Sequence, residues 1–296
     1  MKCRICPRRC LSERTESENL SGYCRCSLTP RVARAALHFW EEPCISGSRG
    51  SGTVFFSGCS LGCCFCQNEE ISHGCAGADI SVGRLAEIFG ELESKGAHNM
   101  NLVSPTHYSL AIIEALNIYR PKIPIIWNSG GYETEETLKM LEPFIDVFLM
   151  DFKYFSSERA ARYSAAADYP ETAAAAIKQC HKMQPECIFD ENGIIQKGVI
   201  VRHLLLPQGT ADAIAVFKWT RNNAPGAYFS LMNQYVPCGR AAEDSIINRR
   251  VTRREYEKVL SVIIESGFEN CYIQDEESAE EKYIPSFDLT GVKKEN

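Results

Sequence analysis

Three cysteines, Cys59, Cys63 and Cys66, follow a short apolar run with the spacing C-x3-C-x2-C. Three thiolates hold three of the four irons of a [4Fe–4S] cube and leave the fourth iron open, whereas four thiolates close the cube into an electron carrier. An open iron is a place where a small molecule can bind. The alternatives for this triplet are a three-cysteine zinc site or reduced thiols buried in the core.

The triplet resembles the signature of the radical S-adenosylmethionine (SAM) enzymes. In that family the amino and carboxylate groups of the methionine part of SAM chelate the open iron, and an aromatic residue before the last cysteine lies beside the adenine. Phe65 occupies this position, and the run 53–56 supplies the preceding strand. The resemblance implies a [4Fe–4S] cluster on Cys59, Cys63 and Cys66, with SAM bound to it.

Composition indicates a reduced, soluble metalloprotein. The 296 residues suffice for one large α/β domain with a small appendage. The 15 cysteines would suggest disulfides in a secreted protein, but the N-terminal residues lack the apolar core of a signal peptide, so we expect metal-binding thiols in the cytoplasm. No apolar run approaches the roughly 18–20 residues that span a bilayer, so no membrane partner is expected. The net charge of −6 argues against nucleic acid as a partner.

The sequence predicts four parts. They are a cysteine-rich metal-binding head (1–33), a connector (34–52), a radical SAM barrel (53–275) and a charged C-terminal tail that lies on the surface or frays (276–296). Short β-rich apolar runs alternate with helical segments in the barrel part, which is typical of parallel strands joined by crossover helices. Candidate strands are 53–57, 101–104, 123–127, 147–150, 199–205, 227–232 and 271–274, and candidate helices are 85–92, 110–119, 133–141, 170–183, 211–222 and 253–266.

The fold class follows from this count. About 220 residues with six or seven strands fall short of a complete (β/α)8 barrel, which takes about 250. The prediction is therefore an α/β protein with a partial, open (β/α)6-type TIM-like barrel of parallel strands, preceded by the small head.

Polar residues recur where the predicted strands end, and the rim formed by those ends carries the chemistry of barrel enzymes. The candidates for binding SAM are Thr106 and His107 after the second strand, Asn128 after the third, Asp151 and Lys153 after the fourth, and Arg202 and His203 on the fifth. An aspartate accepts hydrogen bonds from an amine or a ribose, and an arginine binds a carboxylate through its planar fork. The alternatives are an intrastrand pair for Asp151 and Lys153, and a hydrogen-bonded core histidine for His203.

Nearly the whole chain resembles the PflX-like branch of the pyruvate formate-lyase activating enzyme family. The matching stretches are Cys3-Arg-Ile-Cys-Pro-Arg-Arg-Cys10, His38-Phe-Trp-Glu-Glu-Pro43, Ile45-Ser-Gly, Gly50-Ser-Gly, the triplet through Asn68, Ser104-Pro-Thr-His-Tyr108, Asn128 through Tyr132, Asp151-Phe-Lys-Tyr154 and Arg202-His-Leu-Leu-Leu-Pro207. The resemblance implies that Asp151, Lys153 and Arg202 lie near the methionine part of SAM. The wider family has a Gly-Gly-Glu-type motif after the second strand, which Ser104-Pro-Thr-His-Tyr108 replaces here.

The functional hypothesis follows from this resemblance. One electron enters the sulfonium of SAM from the cluster and releases methionine and a 5′-deoxyadenosyl radical, which abstracts hydrogen from the substrate. The best-known relatives activate glycyl-radical enzymes, so the expected partners are a glycyl-radical enzyme or another protein substrate, and a flavodoxin- or ferredoxin-type one-electron donor. The alternatives are radical modification of a small molecule or an RNA, and a zinc- or Fe–S-binding protein without radical chemistry.

The head contains a second cysteine set. Cys3, Cys6 and Cys10 are followed after thirteen residues by Cys24, which together supply four ligands for zinc or for a second Fe–S cluster. Spacing alone does not choose between these metals, and Cys26 can take the place of Cys24. The polar spacer between the cysteines cannot form an apolar core, so a metal is expected to stabilise the head.

Overall fold

The computed structural model describes residues 2–17, 22–273 and 285–294. The strands of this part are β1 (Arg31–His38), β2 (Ser51–Phe56), β3 (Ala78–Asp79), β4 (Met100–Val103), β5 (Ile125–Ser129), β6 (Val147–Asp151), β7 (Ile188–Phe189), β8 (Ile195–Leu204), β9 (Tyr228–Met232) and β10 (Cys271–Ile273). The helices are α1 (Pro43–Ser46), α2 (Glu69–Ser72), α3 (Val82–Ser94), α4 (Ser109–Ile118), α5 (Glu135–Leu141), α6 (Ser157–Ser164), α7 (Tyr169–Met183), α8 (Thr210–Asn223) and α9 (Arg253–Glu265), with 3-10 turns at Thr106–Tyr108 and Gly239–Glu243.

The strands form one sheet in the order β10-β9-β8-β6-β5-β4-β2-β1-β3, with β7 attached to β8. All neighbours from β2 to β10 in this order pair in parallel, whereas β1 is antiparallel to β2 and β3 is antiparallel to β1. The predicted α/β class with a partial TIM-like barrel is confirmed. Parallel pairing brings the carboxyl ends of the strands to one rim, because each crossover helix returns the chain to the start of the next strand.

The helices cover the outer face of the sheet with apolar stripes. In α3, Leu85, Ile88, Phe89 and Leu92 recur at helical spacing and are buried against the sheet. The side chain of Ser81 caps this helix by accepting a hydrogen bond from the backbone N–H of Arg84. A smaller apolar core, which includes Cys44 and Ile45 of α1, fills part of the inner face. The barrel lumen is therefore closed at one end and open at the carboxyl rim.

The structure differs from the predicted organisation at both ends of the barrel. β1 spans the expected boundary between head and connector and pairs with β2, and α1 also lies in the predicted connector. Residues 285–294 of the predicted surface tail dock on β1, where the Leu289 N–H donates to the carbonyl of Ala33 and Val292 is fully buried. The remaining tail residues and Gln274 lie outside the described residues. Sequence periodicity missed these contacts because they are tertiary and involve short segments.

Among residues 2–17, 22–273 and 285–294, no helix has both the length and the apolar character that a membrane span needs.

A close backbone approach at Gly131 gives a stability prediction. Gly131 has φ +74°, and a Cβ there would lie 2.0 Å from the carbonyl oxygen of Asp151. Gly193 has nearly the same φ of +75°, but a Cβ there would meet nothing within 4 Å. Gly131→Ala should lower the free energy of unfolding in urea by about 1–3 kcal/mol more than Gly193→Ala, since only the first substitution adds a clash to the backbone strain. Equal losses would contradict this packing.

Candidate functional site

A cavity of about 230 Å³ opens at the carboxyl rim of the strands. Its lining includes seven of the residues predicted from the sequence: Cys63, Phe65, Cys66, Asn128, Asp151, Lys153 and Arg202. It also includes residues for which the sequence predicted no role, among them His38, Trp40, Glu41, Met232 and Gln234. The parallel sheet thus brings together side chains from β5, β6, β8 and the cysteine loop, which is the segment 57–68 between β2 and α2.

The cysteine loop after β2 is fixed by close contacts. Gly58 has φ +88°, and a Cβ there would lie 2.1 Å from the sulfur of Cys26 in the head, so this position requires glycine. Two backbone hydrogen bonds then hold the loop against the end of α6. The Gly62 N–H donates to the carbonyl of Ser164 (3.1 Å), and the Cys64 N–H donates to the carbonyl of Tyr163 (2.8 Å). Cys63 therefore lies between two anchored residues.

Each sulfur of the triplet has a polar neighbour. The Leu61 N–H donates to Cys59 Sγ (3.4 Å), Cys63 Sγ lies 2.9 Å from Ser164 Oγ, and Cys66 Sγ lies 3.3 Å from Ser72 Oγ. All three thiols are free of disulfides. Such contacts suit thiolates, which accept hydrogen bonds while they bind a metal.

Electrostatics of the triplet also suit a metal cluster. Burial raises the pKa of Cys59 well above its usual range, and the neighbouring Cys63 and Cys66 raise it further. Burial, followed by Cys63, raises the pKa of Cys66 to about 11. Cys59 and Cys66 therefore need a nearby cation to lose their protons at ordinary pH. This donor set fits a [4Fe–4S] cluster.

The sulfurs of Cys59, Cys63 and Cys66 do not converge on a single position. In the part of the chain that the structure describes, no three Cys, His, Asp or Glu side chains are arranged to hold a single metal ion. The three cysteines of a cubane bind three different irons, so their sulfurs need not converge in that way.

The floor of the cavity is a charged network centred on Arg202. Its Nε donates to Asp151 Oδ1 (3.0 Å), its Nη1 to Glu41 Oε2 (2.9 Å) and its Nη2 to Asn128 Oδ1 (2.7 Å). Glu41 Oε1 also accepts hydrogen bonds from the amides of Asn128 and Asn101, both at 3.1 Å. The guanidinium fork thus binds carboxylates of the protein itself, and Arg202 links the connector to β5 and β6.

Lys153 is the second cation of the cavity. Its Nζ donates to Asp151 Oδ2 at 2.6 Å, so the intrastrand pair considered in the sequence analysis does form, and it forms inside the cavity. Burial alone would raise the pKa of Asp151, but the charges of Lys153 and Arg202 outweigh it and hold that pKa below its usual range. Asp151 is therefore ionised, and the ammonium of Lys153 retains N–H groups beyond this ion pair.

Three predicted SAM-binding residues do not line the cavity. His203 is buried behind the sheet with Nδ1 2.7 Å from the carbonyl of Phe152, and His107 is buried with Nε2 2.7 Å from the carbonyl of Ser57. Thr106 donates to the buried carboxylate of Glu133. For His203 the reason is strand alternation: because Arg202 faces the lumen, the next residue must face the helices. His203 thus has the surroundings of a hydrogen-bonded core histidine, which was its alternative in the sequence analysis.

Glu41 is one of the site residues that sequence reasoning missed. Its stretch, His38 to Pro43, carried the family resemblance, but no periodicity marked its carboxylate as part of the site. It reaches the cavity because β1 adds to the edge of the sheet and the chain then turns back across the lumen into α1. A polar run directly before a short buried helix is the signal that could have indicated it.

The head packs against the same rim. Arg8 donates to the carbonyls of Ser60 (2.8 Å) and Ala165 (2.7 Å), which joins the head to the cysteine loop and to the end of α6. Cys3, Cys6 and Cys24 are buried, Cys10 is half-buried, and the Tyr23 N–H lies 3.5 Å from Cys10 Sγ. Cys26 instead donates to the carbonyl of Cys24 at 3.1 Å.

Glu133, behind the cavity, gives a pH prediction. Burial raises its pKa to about 7, although hydrogen bonds from Thr106 and Trp127 partly oppose this. The folded chain then binds this proton more tightly than the unfolded chain, in which the pKa of a glutamate is about 4.3. The contribution of Glu133 to stability therefore falls as the pH rises from about 4.3 to about 7. As the pH rises across that range, the free energy of unfolding of Glu133→Gln, measured in urea, should increase relative to that of wild type by on the order of 2–4 kcal/mol.

The control for this titration is Glu135→Gln, an exposed position on α5. This variant shows how much of any change comes from the loss of a surface carboxylate on the neighbouring helix. A Glu133→Gln difference that does not change with pH would show that Glu133 is ionised in the fold across this range.

Two comparisons with known sequences show what this chain is similar to. The model of the Radical SAM superfamily matches residues 53–195, which include the triplet and Asp151. The uncharacterized protein MJ0674 of Methanocaldococcus jannaschii is 32% identical over 270 residues, which cover 88% of this chain and 73% of that protein.

Solved structures share the fold. SuiB of Streptococcus suis bound to the precursor peptide SuiA has a TM-score of 0.53 at 14% identity, over 74% of this chain and 47% of SuiB. SuiB bound to S-adenosylmethionine gives the same TM-score and identity, over 48% of SuiB. The chain thus spans just under half the length of SuiB. The matched superfamily model and the partial barrel that carries the cysteine triplet at its rim lead to one conclusion: the chain contains a domain of the radical SAM superfamily.

Proposed function

We propose that Cys59, Cys63 and Cys66 hold the [4Fe–4S] cluster of this radical SAM enzyme and that SAM binds in the cavity between them and Arg202. The observation that carries this proposal is the position of Cys63 and Cys66 in the same cavity wall as Asp151 and Lys153. When bound, such a cluster supplies one electron to the sulfonium of SAM, which yields methionine and a 5′-deoxyadenosyl radical.

The cavity residues would position SAM by charge and shape. Lys153 offers its remaining N–H groups to the carboxylate of the methionine part, while Asp151, which Arg202 and Lys153 keep ionised, accepts hydrogen bonds from an amine or a ribose. Phe65 lines the cavity and would lie beside the adenine, and its ring packs edge-on against Tyr235 (5.9 Å between ring centres). Arg202 acts on SAM through Asp151 and Glu41, since these residues and Asn128 occupy three of its N–H groups.

The substrate is proposed to be a protein or peptide, with activation of a glycyl-radical enzyme as the specific form. Support comes from the resemblance to the PflX-like branch and from the rim of the cavity, where Trp40 is 57% exposed beside the opening. A glycine Cα–H is a favourable target because the resulting radical is delocalised over the flanking peptide groups. Transfer of deuterium from a labelled candidate substrate into 5′-deoxyadenosine would test this assignment.

The test of radical chemistry is product formation after anaerobic reconstitution. Wild-type protein loaded with iron and sulfide and reduced in the presence of SAM should form 5′-deoxyadenosine. Single alanine variants of Cys59, Cys63 and Cys66 should lose at least about 100-fold of this activity, because the cluster loses a ligand. Cys64→Ala removes the neighbouring thiol that is outside the motif and should retain both cluster and activity. Product formation by the triple-alanine variant would refute the proposal.

We further propose that Cys3, Cys6, Cys10 and Cys24 bind either zinc or a second Fe–S cluster, and metal content decides between the two. A single zinc would require their sulfurs to move together on binding, since no three of them are arranged to hold one ion in the described residues. In the triple-alanine variant of the barrel site, about one zinc or about four irons per chain should remain. Adding Cys6→Ala should remove that metal and lower the melting temperature, since the polar head has little apolar core of its own. If metal content is unchanged by Cys6→Ala, or if neither metal remains in the first variant, the head holds no such site.

A further inference from the structure

The end of α6 contributes a hydroxyl to the cysteine loop. Ser164, the last residue of α6, is fully buried, and its Oγ lies 2.9 Å from Cys63 Sγ and 2.8 Å from the hydroxyl of Tyr154. The two backbone hydrogen bonds from Gly62 and Cys64 to this helix end hold the backbone of Cys63 beside Ser164. The fold therefore brings the Cys63 sulfur and the Ser164 hydroxyl together.

The direction of these hydrogen bonds follows from chemistry. A cysteine sulfur bonded to iron has no proton and can only accept a hydrogen bond. Ser164 must then donate to Cys63, which leaves its oxygen lone pairs to accept the proton of Tyr154. Tyr154 is completely buried, and burial raises its pKa well above the usual range, so it keeps its proton at ordinary pH. The chain runs in one direction, from Tyr154 through Ser164 to Cys63.

A parallel arrangement exists at Cys66. Ser72, at the end of α2, lies 3.3 Å from Cys66 Sγ and 2.8 Å from Nδ1 of His73. If Cys66 is bound to iron, Ser72 must donate to its sulfur and accept from His73. Two of the three triplet sulfurs thus have a side-chain hydroxyl donor, each of which is supported by a second polar group.

We propose that Ser164 and Ser72 set the reduction potential of the cluster, and that Tyr154 acts on it through Ser164. The inference rests on the proposed role of the triplet. Hydrogen bonds to ligating sulfurs withdraw electron density from the iron and stabilise the extra negative charge of the reduced state, so they raise the potential. The couple takes one electron from an external donor and returns one to SAM. Without these hydroxyls, a donor of fixed potential reduces a smaller fraction of the enzyme.

The test is a redox titration of the reconstituted full-length enzyme without SAM, followed by the electron paramagnetic resonance signal of the reduced cluster. Ser164→Ala and Ser72→Ala should each shift the midpoint to more negative potential. Tyr154→Phe should shift it less, with the same sign. In a Ser164→Ala background, Tyr154→Phe should cause no further shift, because the tyrosine acts only through the serine.

Controls separate this proposal from general destabilisation and from failure of the proposed function. Thr220→Val removes a buried hydroxyl in α8 that donates to the carbonyl of Val216, and it should leave the midpoint unchanged. Iron and sulfide content is measured first; a wild-type enzyme that binds no cluster would refute the proposed function itself. If Ser164→Ala loads poorly, Tyr154→Phe and Ser72→Ala decide the question.

Two results would overturn the inference. One is an unchanged midpoint in Ser164→Ala, or in both Tyr154→Phe and Ser72→Ala, at wild-type cluster content. The other is an equal shift from Tyr154→Phe in the presence and absence of the Ser164 hydroxyl, which would place the tyrosine's effect outside this chain of hydrogen bonds.

Discussion

The arrangement of the cavity depends on the hydrogen bonds of the Arg202 guanidinium, whose side chain is 14% exposed. A buried charge is costly unless charged and polar partners surround it, and Arg202 meets this requirement with Asp151, Glu41 and Asn128. These partners come from β6, the connector and β5. Satisfying one side chain therefore holds three segments in register, and it leaves Lys153 as the cation whose N–H groups are less fully used by the protein.

A second constraint holds the cysteine loop. The loop is clamped between the head, through Arg8, and the end of α6, through the carbonyls of Tyr163 and Ser164. Loops at a barrel rim are otherwise the most mobile part of this fold, and ligands of a metal cluster must keep their positions through a change of charge. The cysteine-rich head thus helps to hold the cysteine loop in place through Arg8, and this role does not depend on the metal that we propose for the head.

The sequence predicted the strands of the barrel well because each is a continuous apolar run followed by a polar residue, and α3 has a clear apolar stripe. It did not predict β1, β3 or β7, or the helices α1, α2 and α6. The strand β1 carries two arginines, Arg31 and Arg34, and forms because the edge of the sheet offers backbone partners and because residues 285–294 cover it. The β-propensity of the sequence reveals neither the free edge of the sheet nor the segment that covers it.

The sequence by itself determined which residue types reach the rim: the triplet spacing, and the polar residues Asn128, Asp151, Lys153 and Arg202 at strand ends. Only the tertiary structure decided which faces turn inward, placing Arg202 in the lumen and His203 behind the sheet. It also brought Glu41 and Ser164 to the site from segments more than 100 residues apart. The physical reason is that side-chain alternation is a local property of a strand, whereas strand register and long-range contacts depend on the packing of the whole barrel.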